Sequence, residues 1–257
     1  MEWGRLRDEI TVASVKFGDL LRTAPAATTI VLPSSWSVAE LGAHLVSVPR
    51  RYARMLDDDQ AAFPERMSAL NQAEIEAIGP RDPKQLADLL EADTAELLNL
   101  LGHDGDRTVL IYGVQSSVVD VGGVLLGELL VHGRDLARML GKAWALRSEQ
   151  ALAVANGVLP LITNVVNREV AERAAGTYHL RLRGGDDWTI RVGDGGAVIE
   201  RQRPGSADLH ISAEPVAYLL VGLQRMSLWQ AVLSGRMVAW GRKPWLGLQF
   251  GKVFAET

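Results

Sequence analysis

Apolar residues recur at helical spacing through most of the first 145 positions. The pattern repeats every three or four residues from Leu6 to Leu21 and again from Pro83 to Leu101. Another helix is predicted to begin just after Ser37, because Ser37 and Glu40 have the spacing of a capping box. A further, almost entirely apolar helix ends near Gly141. Four principal helices predict a four-helix bundle.

Two local features modify this helical pattern. Pro49 lies within the second predicted helix, and it should kink or divide that helix because proline lacks an amide hydrogen. The segment from Thr108 to Tyr112 is rich in β-branched and aromatic residues, which predicts a short strand.

The pattern changes after Trp144. A long helix is predicted from about Ser148 to Ala175, and segments of alternating apolar and polar residues follow it. Clusters of Gly, Asp, Pro and Ser separate these segments, which predicts an antiparallel sheet with helices. The alternating segments are 178–182, 188–192, 197–200 and 209–212, with a last strand at 236–240. Helices followed by strands predict two domains: an all-α domain at 1–145 and an α+β domain at 146–257.

Composition narrows the classes of function. The 257 residues carry a net charge of −4, which gives no attraction to nucleic acid or to anionic membranes. No apolar run is long enough to span a membrane, and the N-terminus has no apolar leader, so a cytoplasmic location is expected. The chain has no cysteine, which excludes disulfides, thiolate metal ligands and a cysteine nucleophile. Any thiol chemistry would need a small-molecule thiol as cosubstrate.

Candidate chemistry lies on two of the apolar helices. Glu128 and His132 are spaced i,i+4, so they share one helix face, among leucines that make an unpaired carboxylate costly. His44 lies in the helix that follows Ser37. Two imidazoles and one carboxylate form a three-ligand set that leaves coordination positions open, as catalytic metal sites do. Asp135, three residues after His132, is a candidate to orient a ligand imidazole from the second shell.

Each of these residues also has a structural interpretation. Glu128 and His132 could be a polar pair on a helix face, and His44 could be a core histidine bonded to a backbone carbonyl. Glu40 precedes His44 by four residues, which would suit a two-metal carboxylate bundle, but its capping role favours a single metal. His179 and His210 lie in alternating segments and are most simply sheet residues.

Two segments resemble a known family. Residues 36–45 (WSVAELGAHL) and 127–136 (GELLVHGRDL) are similar to the two metal motifs of the mycothiol-dependent maleylpyruvate isomerase family, which belongs to the DinB-like metal-binding bundles. The resemblance implies a four-helix bundle in which His44, Glu128 and His132 are the ligands. It also implies a C-terminal α+β domain similar to sterol carrier proteins, with residues 233–241 resembling its closing strand.

The resemblance implies an enzyme that binds a divalent metal and uses a mycothiol-type thiol to isomerise or conjugate a small electrophilic substrate. Zinc is the expected ion, and nickel or iron(II) also suits two histidines and one carboxylate. Gly127 stands where the family tends to carry arginine. Two alternatives are a small-molecule or lipid carrier with a non-catalytic bundle and a metal-dependent hydrolase. The expected partners are the thiol and the electrophile, and a homodimer is an option that the sequence leaves open.

Overall fold

The computed structural model describes residues 1–57, 63, 64, 66–79 and 81–254. The chain divides into two compact units, Met1–Leu146 and Arg147–Thr257. In the described part of the chain, none of the helices combines the length and the apolar character that crossing a membrane requires.

The first unit is a helical bundle with one short hairpin. Helix α1 packs against α4 and α5, and α2 packs against α4, so the apolar faces predicted from the sequence meet in one core. The elements are α1 (Trp3–Arg22), α2 (Val38–Asp57), α3 (Met67–Ala77), α4 (Pro83–Leu101), β1 (Thr108–Ile111), β2 (Val114–Ser117) and α5 (Val118–Met139).

Helix α2 begins where the capping box predicts. The Ser37 hydroxyl accepts a hydrogen bond from the Glu40 amide at 3.2 Å, and the Glu40 carboxylate accepts one from the Ser37 amide at 2.8 Å. The predicted division at Pro49 is wrong, because α2 continues through it as one helix. Buried side chains such as Val48 and Tyr52 lie next to the proline, so packing outweighs the single backbone hydrogen bond that proline removes.

The hairpin before α5 was predicted only in part. Strand β1 matches the predicted strand, and it pairs antiparallel with β2, which the sequence pattern did not indicate. The two turn residues, Tyr112 and Gly113, have φ values of 51° and 75°, as a two-residue hairpin turn requires. Helix α5 follows directly and begins with a capping box between Ser117 and Asp120.

The second unit is a five-stranded sheet with helices. Its elements are α6 (Ser148–Leu161), α7 (Arg168–Arg173), β3 (Gly176–Leu182), β4 (Asp187–Gly193), β5 (Gly196–Glu200), β6 (Leu209–Ala213), α8 (Pro215–Gly222), α9 (Leu228–Leu233), β7 (Met237–Gly241) and α10 (Gly247–Val253). The long helix predicted at 148–175 is therefore two helices, joined through a 3₁₀ turn at Ile162–Asn164.

The strand order is β5-β4-β3-β6-β7, and β3 runs parallel to β6. The prediction of a wholly antiparallel sheet is wrong for this one pair, because the chain crosses from the β5 edge to the far side of β3 instead of turning back in a hairpin. One sheet face forms the core, with Tyr178, Leu180, Trp188 and Ile190 buried. The predicted fold class, a helical bundle followed by a sheet with helices, is otherwise confirmed.

Candidate metal centre

The structure brings His44, Glu128 and His132 together inside the first unit. Nε2 of His44 lies 3.3 Å from Oε2 of Glu128, and Nε2 of His132 lies 3.4 Å from the same oxygen. One donor atom from each residue lies within 4.8 Å of the others, although 84 residues separate His44 from Glu128 along the chain. The imidazole of His44 is almost fully buried, while a third of the Glu128 side chain remains exposed.

These distances suit coordination of one ion. Zinc binds histidine nitrogen and carboxylate oxygen at about 2.0–2.2 Å, which places neighbouring ligand atoms of a tetrahedron roughly 3.3–3.6 Å apart. The two separations from Glu128 Oε2, 3.3 Å and 3.4 Å, equal such a tetrahedral edge. The three residues therefore fit the metal that the sequence predicts, and they leave at least one coordination position open.

The outer nitrogens of the two imidazoles are unpaired. Nδ1 of His44 and Nδ1 of His132 are both buried and have no hydrogen-bond partner in the described part of the chain. Neither Nδ1 atom bonds to the buried Asp135, so the orienting role of Asp135 stays a prediction. Side chains on a helix lean towards its N-terminus, so the His132 ring reaches back to Glu128 and away from Asp135.

The protonation states favour ligation. Burial raises the pKa of the Glu128 carboxyl, but hydrogen bonds from His132 and His44 outweigh burial and hold this pKa well below its usual value. Burial lowers the pKa of His44, and the nearby Glu128 carboxylate only partly offsets that effect. An ionised carboxylate and a neutral imidazole are the forms that bind metal.

One aromatic side chain, Trp36, packs against the cluster. The ring centroid of Trp36 lies 4.6 Å from that of His44 and 5.9 Å from that of His132. Trp36 immediately precedes the capping residue Ser37, so the same local motif that starts α2 also positions this indole. The sequence signal for the position of Trp36 was an aromatic residue immediately before the residue that caps a helix.

Two further residues, which interact electrostatically with the cluster, were not predicted. Arg51 is buried two turns after His44 and donates to the Glu74 carboxylate at 2.6 Å and 2.9 Å. Tyr112 is also buried, and its hydroxyl forms no hydrogen bond of good geometry in the described residues. Burial raises the pKa of Tyr112, the nearby Arg51 lowers it, and the Glu128 charge raises it, with a net increase.

The conformation of Tyr112 is also unusual. A positive φ is uncommon for a bulky aromatic residue, and hairpin turns of this kind favour Asn, Asp or Gly at that position. Strained backbone of this kind tends to cluster at functional sites. The available sequence signal was a tyrosine followed by a glycine at the end of the predicted strand, and it is a weak one.

A family model matches residues 7–137, which is just over half of the chain, and it describes the mycothiol maleylpyruvate isomerase N-terminal domain. The chain belongs to this family. The match contains all three residues of the candidate metal centre. The search of curated proteins found no matching sequence.

Two crystal structures of one protein have the same overall fold as this chain. The crystal structure of the mycothiol-dependent maleylpyruvate isomerase matches with a TM-score of 0.51 and 13% identity, over 89% of this chain and 91% of that chain. A mutant of that protein gives the same TM-score and identity. A UbiJ-SCP2 ubiquinone synthesis protein matches with a TM-score of 0.33 and 15% identity, over 39% of this chain and 88% of its own length.

Proposed function

We propose that this protein is a metal-dependent enzyme that uses a low-molecular-weight thiol of the mycothiol type to isomerise or conjugate a small electrophilic substrate. The observation that carries the proposal is the convergence of His44, Glu128 and His132: the Glu128 oxygen lies a coordination edge from each imidazole nitrogen, and all three donor atoms lie within 4.8 Å of one another. Membership of the family supports it, and the absence of any cysteine is consistent with an external sulfur.

His44, Glu128 and His132 would hold the ion, and zinc suits this ligand set best, with nickel or iron(II) as alternatives. A divalent ion at this position lowers the pKa of a thiol bound to it and so supplies a thiolate at neutral pH. Trp36 covers one side of the two imidazoles and limits the access of water to them.

The proposed reaction is addition of the thiolate to a conjugated double bond. A carbon–sulfur bond forms, and the electron pair of the double bond moves onto the conjugated carbonyl oxygen. Rotation about the resulting single bond, followed by loss of the thiolate, gives the cis–trans isomer. Protonation of the adduct without loss of the thiolate gives a conjugate instead.

The Tyr112 hydroxyl is a candidate hydrogen-bond donor to the substrate oxygen that gains negative charge during this addition. Its buried hydroxyl keeps its proton and has no acceptor in the described residues, and Arg51 beside it is a donor that cannot accept. We therefore propose that the Tyr112 hydroxyl donates a hydrogen bond to the substrate oxygen. A preorganised donor in a buried site stabilises developing negative charge strongly.

The test combines metal content with thiol-dependent turnover. Purified protein should contain about one divalent ion per chain by elemental analysis and should isomerise maleylpyruvate, or consume thiol with it, only when mycothiol is supplied. His132→Ala should lose both the ion and the turnover. The matched control is His103→Ala, which removes an exposed histidine in a turn and should change neither.

Three outcomes contradict the proposal. Full turnover by metal-free His132→Ala would exclude a metal-dependent mechanism. Turnover of an ester or amide without thiol would favour a hydrolase. A co-purified apolar ligand in a protein that contains no metal would favour a carrier.

A further inference from the structure

Three ionisable side chains form a hydrogen-bonded chain across the sheet of the second unit. Nε2 of His179 lies 2.6 Å from Oδ1 of Asp187, and Nδ1 of His179 lies 3.0 Å from Nδ1 of His210. The three residues come from β4, β3 and β6, and His179 and His210 are direct partners in the parallel register. The sequence suggested only that the two histidines are sheet residues.

When both imidazoles are neutral, the contacts determine where the protons lie. A carboxylate can only accept, so Nε2 of His179 must carry the proton that Asp187 receives. Nδ1 of a neutral His179 is then an acceptor, and Nδ1 of His210 must donate to it. Nε2 of His210 is therefore left with a free lone pair. It makes no hydrogen bond in the described residues, and His210 is partly exposed.

The ring geometry favours a proton between the two histidines over a metal ion. Their ring centroids are 5.2 Å apart while their Nδ1 atoms are 3.0 Å apart. The nitrogens thus point at each other along one line, as in an N–H···N hydrogen bond. Two ligands of one ion would instead converge on a third point.

We propose that Nε2 of His210 is an activated nucleophile that accepts the acyl group of an activated ester or thioester. In this arrangement the nucleophile lies within hydrogen-bond reach of a base, His179, and Asp187 orients the base, which is the general signature of an activated nucleophile. This site lies outside the candidate metal centre and does not depend on the function proposed for that centre.

The proposed step balances without a further reactant. The Nε2 lone pair of His210 forms a bond to the acyl carbon, and the alcohol or thiol leaves with the electron pair of the broken bond. The Nδ1 proton of His210 passes to Nδ1 of His179. The resulting imidazolium is stabilised by the Asp187 carboxylate at 2.6 Å. Water then hydrolyses the acyl-imidazole: its oxygen bonds to the acyl carbon, one of its protons neutralises the alkoxide or thiolate that left, and the extra proton on His179 returns to Nδ1 of His210.

The surroundings of His210 suit this role. The Trp240 ring stacks on the His210 imidazole, with centroids 5.4 Å apart and planes 12° apart, and half of Trp240 is exposed. This exposed indole gives an aryl or acyl group an apolar surface next to the nucleophile. Burial, and then the nearby His179 and Arg203, lower the pKa of His210, so the imidazole is neutral at pH 7.

The test uses the full chain with p-nitrophenyl acetate as the probe, with and without a metal chelator. The wild type should release p-nitrophenolate faster than an equal concentration of free imidazole, and the chelator should not change this rate. His210→Gln should reduce the protein-dependent rate about 100-fold, as expected for loss of an assisted nucleophile. His103→Gln, which removes an exposed histidine, is the matched control and should retain the wild-type rate.

Two variants test the positioning residues. Asp187→Asn should lower kcat about 10-fold or more with little change in KM, whereas Asp187→Glu should retain most of the wild-type kcat. Equal kcat values in Asp187→Asn and the wild type would show that His210 reacts as an unassisted surface imidazole, and this result would overturn the proposal. A wild-type rate in His210→Gln, with circular dichroism showing a folded chain, would also overturn it.

Discussion

The indole of Trp36 packs against the imidazole of His44 at a centroid separation of 4.6 Å, with the two rings tilted by 36°. His44 makes its Nε2 contact with Glu128, and its Nδ1 is buried without a partner. No hydrogen bond in the described residues thus fixes the His44 ring from its outer side. Packing against Trp36 takes over part of the orienting role that a hydrogen-bonded carboxylate or carbonyl has in many metal sites.

Trp36→Leu should therefore weaken metal binding without removing a ligand. We expect the dissociation constant for zinc to rise about 10-fold, which is the lower end of the effect of losing a group that orients a ligand. The measurement is competition with a chromophoric chelator. Trp229→Leu is the control, because Trp229 is an exposed tryptophan on α9 and its loss should leave zinc affinity unchanged. Equal affinities of Trp36→Leu and the wild type would contradict this role.

Tyr112→Phe should separate catalysis from binding. The variant removes only the hydroxyl, so metal content and thiol affinity should be unchanged while kcat falls about 10²-fold, as for loss of an oxyanion donor. KM for the electrophile should change little. Tyr178→Phe is the control, because its hydroxyl donates to the Ala174 carbonyl at 2.6 Å in the second unit. An undiminished kcat in Tyr112→Phe would exclude the hydroxyl as a donor to the substrate.

Local sequence signals account for the placement of the three side chains of the candidate centre. The i,i+4 spacing of Glu128 and His132 places both side chains on one face of α5, whatever the rest of the fold does. The capping box at Ser37 sets the phase of α2, and this phase turns His44 towards the core. Both arguments depend on residues within one or two helical turns of each other.

Features that depend on contacts between residues far apart in the sequence could not be predicted from local signals. Tyr112 lies at a turn whose sequence does not favour the observed φ, and only the packed bundle shows its hydroxyl to be buried. The pairing of His179 with His210 depends on β6 lying parallel beside β3. Nothing local to either strand specifies that neighbour, because the connection between them passes through two other strands.

The second unit should lose stability at acidic pH through Glu214. This carboxylate accepts hydrogen bonds from Val216 and Ala217 at the start of α8 and from Arg236 at 2.7 Å. Burial raises its pKa, but these hydrogen bonds together lower it below the usual 4.5. A lowered folded-state pKa gives stability that is present above the unfolded pKa and is lost as pH falls through the folded one.

Comparison with Glu214→Gln measures this contribution. The free energy of opening of the sheet, from hydrogen exchange at the β6 amides, should be about 1 kcal/mol lower in the variant near neutral pH, as for a lost helix cap. The difference between the two proteins should vanish as the pH falls well below the usual carboxyl pKa. A difference that is independent of pH would show that the Glu214 charge is not responsible.

Two glycines in the first unit should respond in opposite directions to the same substitution. A Cβ at Gly122 on α5 would lie 2.6 Å from the ring of Trp3 and 3.1 Å from Leu6, both buried on α1. Gly122→Ala should therefore destabilise the bundle by about 1–3 kcal/mol, as overpacking does. A Cβ at Gly4 on α1 meets nothing within 4 Å, so Gly4→Ala should stabilise α1 by up to about 1 kcal/mol through helix propensity. Urea unfolding monitored by helical circular dichroism checks both values, and a neutral or stabilising Gly122→Ala would contradict the close packing of α1 on α5.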